Sequence, residues 1–143
     1  MSHLPYYNYE GIGQASKERY GYSQAVKIGD EIHCAGQGKF KCSRGWNRLS
    51  EEISTDLETE INQAFENVDV NVKNAGGKGW ADVYKVQSYH CHALDDKNVE
   101  LMVKTLKKWC PDHQPIWTVL GVRELGLPNM RVEIDVSAHI KRD

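Results

Sequence analysis

Apolar side chains fall at Ile53, Leu57, Ile61, Ala64, Phe65, Val68, Val72 and Ala75, one stripe along the middle of the chain. Steps of three and four place them on one face of an α-helix, which must be buried against other elements of the same fold. Asp56, Glu58, Glu60 and Asn62 fall away from that stripe, and Gly76-Gly77 supplies its C-terminal stop. A chain of 143 residues can enclose one such core and little more. Residues 1–143 therefore read as a single domain.

The flanking segments have a different period. Tyr22 to Ile28 and Glu31 to Ala35 are short runs with partial alternation around Gly29-Asp30, the composition of a β-hairpin. The stretch from Gly36 to about Ser50 has no periodicity and reads as a loop. Beyond the helix, Ala81 to His92 carries the β formers Val83, Val86, Tyr89 and Cys91. A second helix is predicted from about Lys97 to Trp109, with Asp95 or Asp96 as cap and Pro111 beyond its end. Ile116 to Val122 and Met130 to Ala138 close the chain as a second hairpin, joined across Gly126-Leu127-Pro128-Asn129. The predicted order is ββαβαββ, an α+β fold with a mixed sheet and two helices on one face. No third layer is left for the other face, which points to burial by another subunit.

Composition removes several classes of function. Eighteen Lys and Arg stand against twenty Asp and Glu, a net charge of −2 without a long basic block, so nucleic acid is not expected as a partner. Charged residues interrupt every apolar run well short of the ~20 residues that cross a bilayer. The first residues carry no export or organelle pattern, and a cytoplasmic location is expected. Cys34, Cys42, Cys91 and Cys110 form no C-x-x-C pair and read as reduced, small, buried or half-buried side chains. His90 and His92 share a strand face, but two ligands do not make a metal site, and neither metal nor cofactor is expected. Gly11-Ile12-Gly13-Gln14-Ala15 is set aside as a phosphate loop because it is read as following no strand and opening no helix.

Several short motifs, in order, resemble one family. Tyr22-Ser23-Gln24-Ala25-Val26 with Gly29, then Ala35-Gly36-Gln37, resemble the opening hairpin of the RidA/YjgF family. Gln63-Ala64-Phe65-Glu66-Asn67-Val68 with Ala75-Gly76 resembles its first helix, Asp82 to Val86 its next strand, and Val132 to Ala138 its closing strand. The resemblance implies a chorismate-mutase-like fold assembled as a homotrimer, with clefts at the subunit boundaries. It implies a small-molecule substrate, such as the reactive enamines and imines that the best-known branch hydrolyses. Other members of the family have been described as ribonucleases, translation inhibitors or biosynthetic enzymes.

Carried over by position, Tyr22 matches the cleft tyrosine, Glu133 the glutamate beside the attacking water, and Gly36 a backbone contact. Attack of water on C=N needs a group that orients water and moves protons, which a partly desolvated carboxylate can do. A phenol beside it can donate a hydrogen bond to nitrogen. The departure lies in Pro115-Ile116-Trp117-Thr118-Val119, where Trp117 occupies the position of the arginine with which the family's deaminases hold a substrate carboxylate. Ile116, Trp117 and Val119 would then line the substrate side of the cleft. An indole brings one donor, no charge and a large apolar face, so a neutral or aromatic substrate is expected. Arg123 stands about six strand residues, roughly 20 Å, further along. Arg131 is expected to pair with Glu133, its i, i+2 neighbour. A non-catalytic binding trimer and an endoribonuclease are the alternatives.

Overall fold

Gly29 takes φ 60°, a left-handed conformation that a residue without Cβ adopts at little cost. The hairpin predicted around it forms. The computed structural model describes residues 1–40 and 56–143; Cys42, the predicted loop from residue 41 to Ser50 and the helix start at Ile53 lie outside the described residues. In chain order the elements are β1 (Tyr6–Tyr7), α1 (Ile12–Tyr20), β2 (Ala25–Ile28), β3 (Glu31–Cys34) and α2 (Leu57–Asn74). A short 3₁₀ turn (Gly79–Asp82) leads into β4 (Val83–His90), α3 (Asp96–Trp109), β5 (Ile116–Gly121) and β6 (Val132–His139).

The helices begin and end for local reasons. Asp56 accepts a hydrogen bond from the Thr59 amide at 3.3 Å at the start of α2, and Gly76 follows its end at φ 101°. Asp95, one of the two predicted caps, accepts from the Asn98 amide at 2.9 Å, and Lys107 and Lys108 sit in the last turn of α3. The sequence reading is corrected on both counts, because Gly11-Ile12-Gly13-Gln14-Ala15 follows the strand β1 and opens the helix α1. Its residues, IGQASKERY, include one strongly apolar side chain, so no stripe marks the helix in the sequence.

The six strands lie in the order β1-β2-β3-β6-β4-β5, antiparallel throughout except for β4 with β5. A parallel neighbour needs a crossover, and α3 provides it. The last two strands are therefore not a hairpin, as their short connection suggested. β6 enters the middle of the sheet between β3 and β4. Its alternation suits that place: Val132, Ile134, Val136 and Ala138 are buried on one face, and Glu133, Asp135 and Ser137 are half-buried on the other.

α2 lies against β6 and β3, and α3 lies against α2. The predicted stripe from Ile61 to Ala75 meets Ile32, Val83, Val86 and the buried side of β6. Phe65 and Trp80 stack at the end of this core with ring centroids 4.4 Å apart, and the indole donates to the Phe65 carbonyl at 2.8 Å. Glu60 corrects the reading that it falls away from the buried face. It is 1% exposed and accepts from the Arg131 amide and guanidinium, each at 2.8 Å. This also replaces the expected pairing of Arg131 with Glu133. Glu60 stands three residues from Leu57 and four from Ala64, at the border of the buried face, and the arrival of β6 beside it supplies the cation that permits burial.

On β5, Ile116 is 65% exposed, Leu120 43% and Val119 37%, on the free edge of the sheet. Cys34, Cys91 and Cys110 are free thiols, and burial pushes Cys34 up to about 12 and Cys110 to about 11. Among the described residues, no helix is long and apolar enough to cross a membrane.

Candidate functional site

Immediately after β3 the chain makes one more contact with the sheet. Gln37 and Ile134 exchange backbone hydrogen bonds of 2.8 and 2.9 Å, which draws Gly36 beside Glu133. A Cβ at Gly36 would stand 2.6 Å from the Glu133 carboxyl carbon, so only glycine leaves room for this carboxylate. Burial raises the pKa of Glu133, and the like charge of Asp135, two residues along the same face, adds to it. Tyr89, paired with Glu133 across the strands, is also raised, first by burial and then by its hydrogen bond to Asp135.

Glu133 and Gly36 open into a cavity of about 260 Å³ whose walls include Tyr9, Ile12, Tyr20, Tyr22 and Met130. One wall is α1, which turns Ile12, Ser16 and Tyr20 to the cavity at steps of four. Behind the wall runs a chain of amides with a fixed direction. Tyr9 donates to Gln37 Oε1 at 2.6 Å, Gln37 Nε2 donates to Gln24 Oε1 at 2.8 Å, and Gln24 Nε2 donates to the Tyr22 oxygen at 3.3 Å. Because Tyr22 accepts in this chain, its own hydroxyl hydrogen takes no part in it. Gln24 and Gln37 are each 3% exposed, so this network is part of the frame. No lysine or arginine is among the described residues that line the cavity.

The structure thus brings Tyr22, Gly36 and Glu133 together. Within one chain it does not bring Ile116, Trp117 or Val119 to them. Trp117 pairs with the buried Val86 and faces the helices, where its Nε1 donates to Ser88 Oγ at 2.8 Å. It lines a shallow groove with Leu106, Cys110, His113 and Pro115 on the opposite side of the sheet from Glu133. His90 and His92 are hydrogen-bonded to each other at 2.9 Å, and among the described residues no group of His, Cys, Asp or Glu is arranged to hold a metal ion. Sequence reasoning missed Tyr9, Tyr20 and the role of α1. The available signal was the concentration of tyrosines before Ser23 and the spacing of Ile12, Ser16 and Tyr20.

The pattern of the family described as Endoribonuclease L-PSP matches residues 13–140. A protein of Dermatophagoides farinae, 2-iminobutanoate/2-iminopropanoate deaminase, is 31% identical over 115 residues, covering 80% of this chain and 81% of its own. Among solved structures, Rv2704 of Mycobacterium tuberculosis, a member of the YjgF/YER057c/UK114 family, is similar with a TM-score of 0.74 at 19% identity. The match covers 96% of this chain and 99% of that one. Yeast Mmf1 is similar with a TM-score of 0.70 at 23% identity, over 85% of this chain and 89% of its own. RidA of an Antarctic Psychrobacter gives 0.69 at 24%, over 83% and 88%. These structures carry the chorismate-mutase-like fold.

Proposed function

Because the chain belongs to the RidA/YjgF family, we propose that it is a cytosolic homotrimer that hydrolyses a reactive imine or enamine of neutral or aromatic character. The observation that carries this reading is the carboxyl of Glu133, partly stripped of water and seated against Gly36, facing a cavity to which Tyr22 offers a free hydroxyl hydrogen. In such a site Glu133 takes a proton from water as the oxygen bonds to the imine carbon, and Tyr22 steadies the nitrogen. Return of that proton to nitrogen gives a carbinolamine; passage of its hydroxyl hydrogen through Glu133 to the amine then forms the C=O bond, breaks the C–N bond and releases ammonia. An enamine enters the same route after tautomerising to the imine. Imine deamination agrees with the name of the relative from Dermatophagoides farinae.

Two features support a substrate without a small carboxylate. The described residues lining the cavity include no cation, and Trp117 stands where the family's deaminases carry arginine. Since Trp117 and Glu133 lie on opposite faces of one sheet, the proposed cleft takes its β5 wall, with Ile116, Trp117 and Val119, from a neighbouring subunit. A bidentate arginine–carboxylate contact contributes roughly 1.5 to 3 kcal/mol, about ten- to over a hundredfold in affinity or rate. In a coupled assay with an amino-acid oxidase generating the imine, wild type should hydrolyse leucine-derived imine weakly and aromatic, uncharged imines better. Trp117→Arg should shift preference toward the carboxylate-bearing imine, and Glu133→Gln should abolish turnover of both. Wild-type activity on leucine-derived imine equal to that of an arginine-bearing relative would show that Trp117 is not the anchor position.

One observation favours a second reading. The indole of Trp117 is engaged by Ser88 and packs against the core, as in a binding protein whose tryptophan is structural. Saturable ligand binding without turnover, unchanged in Glu133→Gln, would establish that reading.

A further inference from the structure

Four hydrogen bonds run in series from the indole of Trp117 to the end of β4. Trp117 Nε1 lies 2.8 Å from Ser88 Oγ, Ser88 Oγ 2.8 Å from His90 Nε2, and His90 Nδ1 2.9 Å from His92 Nε2. His92 Nδ1 lies 2.8 Å from the Ala93 carbonyl oxygen. Ser88 is 0% and His90 1% exposed, while His92 is half-buried. The two ends are chemically fixed, because an indole N–H only donates and a carbonyl oxygen only accepts. With both histidines neutral, every hydrogen between them is then determined. His92 donates from Nδ1, so its Nε2 accepts from His90 Nδ1. His90 Nε2 in turn accepts the Ser88 hydroxyl hydrogen, and the Ser88 oxygen accepts from Trp117. All donors point one way, and both histidines carry hydrogen on Nδ1.

We propose that Ser88, His90 and His92 form a positioning relay that holds the Trp117 indole on the helix side of β5 and couples its hydrogen bond to the protonation of His92. A proton added to His92 occupies Nε2, which then donates to His90 Nδ1. His90 gives up its Nδ1 hydrogen to solvent and takes one from solvent on Nε2, and in this other tautomer presents Nε2–H to Ser88. The Ser88 oxygen now accepts from two donors, and its own hydrogen must turn elsewhere, so the contact that seats Trp117 weakens. Across β4, His90 faces Gly121 of β5 and Val132 of β6, neither ionisable. The buried residues of α3 are Met102 and Thr105, and the buried carboxylate of α2, Glu60, is committed to Arg131. Burial and the neighbouring His92 hold His90 itself down to about 4, and His92 is the half-buried end of the chain, the member nearest solvent. The consequence for ligand binding rests on the role of Trp117 proposed above; the relay itself does not.

The test is a long-range proton–nitrogen NMR titration of uniformly labelled protein, with the Trp117 indole assigned by its loss in Trp117→Phe. At neutral pH both histidines should appear as Nδ1–H tautomers, and the indole resonance should move along the His92 titration. His90→Gln keeps the static chain, since its amide oxygen can accept from Ser88 and its amide nitrogen can donate to His92, but it cannot exchange tautomers. Its indole should resonate near the wild-type position at neutral pH and stay there on acidification. Ser88→Ala should displace the indole resonance at every pH. An Nε2–H tautomer at either histidine, an indole that does not titrate in wild type, or one that still titrates in His90→Gln would overturn the relay. The tautomer measurement needs only wild-type protein, so a variant that fails to fold does not decide it. Absence of imine hydrolysis alongside the expected spectra would sink the proposed function and leave the relay standing.

Discussion

A carboxyl group that loses water without gaining a cation holds its proton more tightly, and Glu133 is in that position. Its pKa is raised from 4.5 by burial and then by Asp135. In the interval between the unfolded and folded values the native chain keeps a proton that the unfolded chain has released, so stability falls as pH rises through it. The associated stability is present below about 4.5 and lost above the folded value. Glu133→Gln should therefore match wild type in urea midpoint at acid pH and exceed it at neutral pH, while losing the proposed activity. A variant less stable than wild type at neutral pH would mean that the carboxylate is held by contacts the fold needs. Gly36 belongs to the same argument, because the room it leaves is occupied by this carboxylate.

At the scale of elements, α2 and β6 are joined by more than an apolar stripe. Glu60 on α2 receives the amide and guanidinium of Arg131 just before β6 begins, and the Glu60 side chain is 0% exposed against 31% for Arg131. Removing the carboxylate strands those donors beside the core, and loss of one partner of a buried pair is far costlier than the pair's net contribution. Glu60→Ala should lower the unfolding free energy by about 3 kcal/mol, read as a lower urea midpoint at unchanged slope. A loss below about 0.5 kcal/mol, the usual range for surface positions, would show that Arg131 finds water instead. α1 contributes differently: its buried residues are Ile12, Gly13 and Ser16, so it forms a cavity wall more than a share of the core.

For the whole molecule, the open question is what meets β5. It is an edge strand carrying exposed Ile116, Val119 and Leu120, and an apolar edge with unpaired backbone groups invites association. The proposed homotrimer covers it and completes the cleft. Light scattering at micromolar concentration should give three times the chain mass. Ile116→Lys, at a position 65% exposed in the isolated chain, should keep the circular dichroism of the fold while lowering that mass. A wild-type monomer would count against both the assembly and the shared cleft.

Periodicity with turn and cap signals located α2, α3 and the strands β2 to β6 but not β1, because a buried face must repeat at the pitch of its element, and Ile61 to Ala75 or Val132 to Ala138 do so visibly. Ordered motifs carried the family. α1 stayed hidden because IGQASKERY has too few apolar residues to show a face, and its start is set by the left-handed Gly11 and its end by Gly21. Strand order was equally hidden, since the short connection after β5 resembles a hairpin while pairing is decided by which strand offers the most apolar face to the centre of the sheet. For the candidate site, Tyr22, Gly36 and Glu133 were legible one by one from the family's motifs. That they meet, that Glu60 is a buried partner of Arg131, and that Trp117 faces away from Glu133 into a chain of histidines were decided only in three dimensions. Contacts between residues far apart along the chain depend on how the sheet brings them together, and local sequence carries no record of that distance.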